Sequence, residues 1–140
     1  MADEQPQYTL YQYFRSSCSG RVRIALNLKN IPYESRPVNI VKGEHRAEAF
    51  HAINPLGFVP ALQKRSSDGS VTTITQSPAI MEYLEDAHPD TVSLLPPKSD
   101  PTGRANVRAL SSLIACDIQP VTNERTYTHR QRPGDVCDID

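Results

Sequence analysis

The sequence predicts an α/β fold, a mixed four-stranded sheet with helices on both faces, followed by the start of an all-α domain. Strand-like and helix-periodic segments alternate from residue 8 to residue 87, close enough in sequence for one layered domain. A proline-rich stretch with Pro89, Pro96, Pro97 and Pro101 then breaks the pattern. One further helical period follows over 104–118, and nothing periodic comes after it. The 140 residues are 38% hydrophobic and 22% charged, which suits a globular chain with one core. The expected organisation is a domain over 1–88, a linker over 89–102, the first helix of an incomplete helical domain over 103–123 and a divergent, disordered tail over 124–140.

The elements follow in order. Residues 8–14 are rich in aromatic and β-forming side chains without Gly or Pro, and read as a strand. Over 21–29, Val22, Ala25 and Leu26 fall at helical spacing, and Ile24 and Leu28 widen the apolar side, so this helix is expected to be largely buried. Lys29 suits the last turn of a helix, and Asn30 tolerates the left-handed conformation of a helix stop. A strand is expected over 34–40, at a sheet edge because Pro37 lacks a ladder donor. Residues 43–51 form a weak helix, and Asn54-Pro55-Leu56-Gly57 a loop leading to a strand at Val59-Pro60-Ala61-Leu62. Two antiparallel strands flank the turn-forming cluster 66–70. Ser77 is a good N-cap, Pro78 suits the first helical position, and Ile80, Tyr83, Leu84 and Ala87 make an apolar stripe running to about Ala87. This order is the thioredoxin-like arrangement. In the last period, Val107, Leu110, Leu113 and Ile114 share one helical face.

Charge and cysteine content exclude several functions. With 15 basic and 16 acidic side chains the formal charge is -1, so no overall field favours nucleic acid or an anionic membrane, and a small-molecule ligand fits better. No apolar run nears the roughly 20 residues needed to span a bilayer, and residues 1–6 lack both a basic start and an apolar signal segment, so a soluble cytoplasmic protein is expected. Cys18, Cys116 and Cys137 are widely spaced and odd in number, which favours neither a disulfide framework nor a zinc site. No metal is expected, and in a reducing compartment the three are thiols.

The chemistry is expected where strand turns into helix. Ser16, Ser17 and Cys18 there would gather hydroxyls, a thiol and backbone N–H groups at the positive end of the helix dipole, a setting that favours an anion. A ligand thiol of ordinary pKa about 8.5 would ionise more readily beside such donors. The plainer reading is a simple helix cap. A cis Val59-Pro60 bond would free the Val59 backbone to pair with an extended peptide ligand, while a trans bond in a loop is the bland alternative. Ser77 at a helix start can hold a carboxylate with Gln76 donating from its amide, although capping alone explains Ser77. His45 by itself reads as a solvated side chain.

Taken together, these residues resemble the zeta-class glutathione transferases, which include maleylacetoacetate isomerase. The resemblance rests on Tyr13-Phe14-Arg15-Ser16-Ser17-Cys18-Ser19 followed by Arg21-Val22-Arg23-Ile24-Ala25-Leu26, then Asn54-Pro55, Val59-Pro60 and Gln76-Ser77. Gly20 departs from it, since an aromatic or larger residue is usual there. The resemblance implies that Ser16 holds and activates a glutathione thiolate, that Ser17 supports it and that Cys18 tunes catalysis. Ser19 and Arg21 would complete the binding turn, His45 would contact the glycine end, Val59 before Pro60 would pair with the cysteinyl backbone, and Gln76 and Ser77 would hold the γ-glutamyl group. Gln119 and Asn123 fall at positions used near glutathione and the partner subunit. After Asn123 the resemblance stops, as though the chain were truncated or altered there.

The implied function is glutathione-dependent isomerisation of maleylacetoacetate to fumarylacetoacetate, in tyrosine and phenylalanine breakdown, with transferase activity on small α-haloacids and a small acidic substrate. Full-length members imply a homodimer. The alternative is a truncated non-enzymatic isoform or gene-model product that only binds glutathione or a full-length subunit. A glutaredoxin-like dithiol oxidoreductase shares the fold but needs a resolving cysteine, and no Cys-x-x-Cys pair is present.

Overall fold

The computed structural model describes residues 7–121. The expected tail over 124–140, Asn123 and Cys137 lie outside the described residues. The described chain divides into two compact units, one ending at Leu94 and the other beginning at Leu95.

The first unit holds strands β1 (Tyr8–Gln12), β2 (Tyr33–Pro37), β3 (Ala61–Arg65) and β4 (Val71–Thr75), and helices α1 (Ser17–Leu28), α2 (Glu48–His51) and α3 (Ser77–Ala87). Sheet order is β2-β1-β3-β4, with β1 parallel to β2 and antiparallel to β3, and β3 antiparallel to β4. This is the thioredoxin-like fold, and Pro37 does sit on an edge strand. The strand itself begins and ends earlier than 34–40 because Tyr33 already pairs with Tyr8 and Pro37 is the last residue in register.

Alternation along β1 assigns the two faces. Tyr8 and Leu10 join Val22, Ala25, Leu26, Ile31, Leu62, Ile80 and Leu84 in the core beneath α1 and α3. Tyr11 points the other way and meets Phe50 of α2, ring centroids 6.2 Å apart. Helix α1 is less buried than its apolar content predicts, since Ile24 and Leu28 are 61% and 54% exposed. Each residue adds about 100° around a helix, so positions two beyond Val22 and Leu26 face solvent. The weak helix resolves into a 3-10 turn at Glu44–Arg46 and the single-turn α2. Asn30 stops α1 at φ 53, as its residue type allows.

Lys29 does more than suit the last turn of α1. Its ammonium is buried, 3.0 Å from Glu85 Oε2, and donates to the Thr91 hydroxyl (3.1 Å) and the His88 carbonyl (3.3 Å). Glu85 also accepts from the Leu94 N–H (2.9 Å) and from the Ser93 hydroxyl. The hairpin between β3 and β4 turns at Gly69 (φ 82), where the Asp68 carboxylate accepts from the Ser70 N–H and hydroxyl and is held below the ordinary carboxylate range by them.

The second unit contains α4 (Pro101–Ser112), starting inside the expected linker because Asp100 caps it and Pro101 fits its first position. Asp100 Oδ1 accepts from the Gly103 N–H at 2.8 Å. A π-helical segment, Leu113–Ile118, and a last turn, Gln119–Val121, continue it. Pro120 has no N–H to give, and its ring crowds the carbonyl one turn back, which favours the wider register. No helix among the described residues is long and apolar enough to cross a membrane.

Candidate functional site

Sheet register gathers the predicted residues. Tyr11 pairs with Ala61 and Ala61 with Thr75, so the chain after β1, before β3 and after β4 meets at one end of the sheet. These are the segments carrying Ser16 to Cys18, Val59-Pro60 and Gln76-Ser77. The chain after β2 joins them, because the Val38 N–H donates to the Gln12 carbonyl at 2.8 Å.

At the start of α1, Ser16 is the N-cap, and its Oγ accepts from the Ser19 N–H at 3.2 Å. A hydroxyl that accepts this bond keeps its own proton for another partner. The N–H groups of Ser17 and Cys18, in the first turn, have no intrahelical acceptor. Ser17 is exposed, while Ser16 and Cys18 are half-buried. The loop entering the helix is fixed by Arg23, which donates to the Phe14 carbonyl at 3.2 Å. Ser19 is fully buried and accepts from the Tyr13 N–H at 3.4 Å, so its hydroxyl serves the loop.

The Val59-Pro60 bond is cis. Val59 makes no hydrogen bond among the described residues, leaving its N–H and carbonyl available to an extended ligand. Asn54, fully buried, donates to the Phe58 carbonyl at 2.7 Å and accepts from the Leu56 N–H at 3.2 Å, which shapes the loop that presents Val59. Gly57 has φ 66, and a Cβ there would lie 3.1 Å from the His45 carbonyl, so the turn carrying His45 packs on that loop. His45 is half-buried.

Capping at α3 differs from the expectation. Gln76 occupies the N-cap position with φ 68 and ψ 115, and Ser77 is the first helical residue. Ser77 is buried, and its Oγ accepts from Arg21 Nη1 at 3.2 Å instead of capping its own helix. The same Arg21 nitrogen lies 3.7 Å from Cys18 Sγ. One guanidinium therefore joins the starts of α1 and α3. Gln119 lies in the second unit, half-buried.

Sequence reasoning missed three features here. The left-handed backbone at Gln76 has no residue-type signal, because Gln does not prefer positive φ. The Arg21-to-Ser77 bond joins residues 56 positions apart. Asn54 was legible only as part of a loop, although Asn-Pro is a known turn starter.

The family profile described as glutathione S-transferase, N-terminal domain, matches residues 15–87. This chain belongs to the glutathione S-transferase family. Among its relatives, the maleylacetoacetate isomerase maiA of Aspergillus fumigatus is 53% identical over 121 residues, covering 86% of this chain and 52% of that protein. The maleylacetoacetate isomerase of Mus musculus is 54% identical over 116 residues, 81% and 50% of the two chains. A solved maleyl pyruvate isomerase, described as a bacterial zeta-class glutathione S-transferase in its holo form, superposes with a TM-score of 0.77 at 45% identity, covering 89% of this chain and 55% of that one. The maleylacetoacetate isomerase of Methylobacterium extorquens AM1, solved with malonate and GSH, gives 0.77 at 41% identity, covering 87% and 54%. The chain spans about half the length of these relatives.

Proposed function

We propose that this chain forms the glutathione-binding half of an enzyme that isomerises maleylacetoacetate to fumarylacetoacetate, with glutathione as coenzyme, in tyrosine and phenylalanine breakdown. The observation that carries the reading is the convergence of a serine-capped helix start, a cis Val59-Pro60 and the Gln76-Ser77 helix start at one end of the sheet. Relatives named for this reaction, at about half identity, support it.

The residues present fit glutathione. An anionic sulfur at the start of α1 would accept hydrogen bonds from the Ser16 hydroxyl and from the N–H groups of Ser17 and Cys18. Val59 would pair with the cysteinyl backbone in extended conformation. Gln76 and Ser77 would hold the γ-glutamyl carboxylate, His45 the glycine end, and Ser19 would stiffen the turn from beneath. Bound glutathione supplies a nucleophilic thiolate that adds reversibly to an electron-poor double bond and so permits rotation about it. The Ser16 hydroxyl and the first-turn N–H groups would serve displacement of halide from small α-haloacids in the same way. We assign 1–88 to this domain and place the active form in the cytoplasm as a homodimer, and the resemblance gives Gln119 and Asn123 to glutathione and the partner subunit.

Calorimetric titration with glutathione and turnover of maleylacetoacetate test the reading. Saturable binding is expected, with the ultraviolet thiolate band of bound glutathione appearing at neutral pH. Ser16→Ala should lose that band and about 10²-fold in turnover, the scale of one removed anion-stabilising donor. Binding without turnover would leave this chain the glutathione-binding role alone, and absence of both from a folded protein would refute the proposal.

A further inference from the structure

Among the described residues, the Arg21 guanidinium reaches side chains at both helix starts of the site. It is half-buried, and neither Lys29 with Glu85 nor Arg36 with Glu34, two ion pairs found among the described residues, includes it. Its Nη1 instead donates to Ser77 Oγ at 3.2 Å and lies 3.7 Å from Cys18 Sγ. A guanidinium can only donate, so this contact occupies a lone pair of the Ser77 hydroxyl. The hydroxyl proton must then point away from Arg21. Ser77 is 3% exposed and is the first residue of α3, so the proton it keeps is available at the start of that helix.

We infer that Arg21 is a positioning residue for the anionic end of the ligand. It acts through Ser77, holding the hydroxyl as a donor toward a ligand carboxylate. The inference rests on the glutathione-binding reading above and adds the residue that polarises the γ-glutamyl subsite. Without Arg21, the Ser77 hydroxyl is free to turn inward and donate to a protein acceptor, and the ligand carboxylate loses the aligned donor. The thiol end, built by Ser16 and the first-turn N–H groups, is left intact.

A double-mutant cycle on the full chain separates these roles. Arg21→Met and Ser77→Ala are each expected to weaken glutathione binding about tenfold, the scale of one charge-assisted hydrogen bond. Because one acts through the other, the double variant should match the weaker single variant within about twofold, where independent effects would multiply to about a hundredfold. At saturating glutathione, the thiolate band of Arg21→Met should titrate as in the unaltered protein, whereas Ser16→Ala should shift it. If Arg21→Met melts below the assay temperature, Arg21→Gln, which also removes the charge, takes its place in the cycle. Multiplicative losses, or a thiolate titration displaced as in Ser16→Ala, would overturn the inference. If the unaltered protein binds no glutathione, the glutathione reading itself falls; binding with a multiplicative cycle sinks only the role of Arg21.

Discussion

Gln76 holds φ 68 and ψ 115 immediately before α3, a conformation that costs a non-glycine residue on the order of 1–3 kcal/mol. Such a cost is tolerated where the backbone is needed for a ligand. Gln76→Gly should therefore raise thermal stability by about 1 kcal/mol while weakening glutathione binding, since the amide donor is lost. A stability gain with unchanged affinity would remove Gln76 from the site. Two glycines should behave oppositely under calorimetric melting. Gly20 lies in α1 with ordinary φ, and a Cβ there would meet nothing nearer than Arg23 Nη2 at 3.8 Å, so Gly20→Ala should stabilise by up to about 1 kcal/mol. Gly57 combines φ 66 with a Cβ position 3.1 Å from the His45 carbonyl, so Gly57→Ala should destabilise by about 2 kcal/mol. The serines and Gln76 were legible as candidates from their residue types. The conformations that distinguish Ser77 from a cap, and Gly57 from Gly20, depend on neighbours that sequence spacing does not reveal.

At the scale of elements, Lys29 at the end of α1 and Glu85 on α3 clasp the two helices that cover one sheet face. Burial opposes the Glu85 charge, but the Leu94 N–H, the Ser93 hydroxyl and Lys29 outweigh it and hold the carboxyl down at about 2. A depressed carboxyl stabilises the fold fully above its unfolded value near 4.5, and that contribution is lost as pH falls toward 2. His88 adds an earlier acid limb. Burial, then the Lys29 and Lys64 charges, lower its pKa below the ordinary 6.5, so the unfolded chain binds the proton first and stability declines as pH falls through that value. Its Nε2 meets the buried Tyr8 hydroxyl at 2.9 Å, and burial pushes the Tyr8 phenol up. Melting followed from pH 8 to pH 3 should show both limbs, with His88→Gln flattening the first and Glu85→Gln the second. Glu85→Gln should also cost on the order of 3 kcal/mol near pH 7, because it strands the buried Lys29 ammonium, and Lys29→Met combined with Glu85→Leu should recover most of that loss. Helix and strand positions were readable here from period and turn chemistry. The partner of Lys29 was not, because the two residues are 56 positions apart and Lys is almost never fully buried without a partner.

For the whole molecule, the contrast between the two units is one of burial. The first closes a core in which Leu10, Leu26, Leu62, Ile80 and Leu84 are inaccessible to solvent. In the second, Leu110, Leu113 and Ile114, spaced three and four apart on one helical face, are each about half or more exposed. Sedimentation velocity should show concentration-dependent association of this chain, and Leu110→Lys with Ile114→Lys should abolish it while leaving glutathione binding intact; a monomer at all concentrations would contradict the first expectation. By itself the sequence determined the strands and helices of the first unit, the edge position of β2, the hairpin, and the serine-rich helix start, because these depend on local period, turn residues and capping chemistry that act over a few positions. The tertiary structure alone decided that Ile24 and Leu28 face solvent, that Lys29 is buried against Glu85, that Val59-Pro60 is cis and that Arg21 ties Cys18 to Ser77. Each of these depends on which distant segments the sheet register brings together, and burial, charge pairing and hydroxyl direction are properties of that meeting.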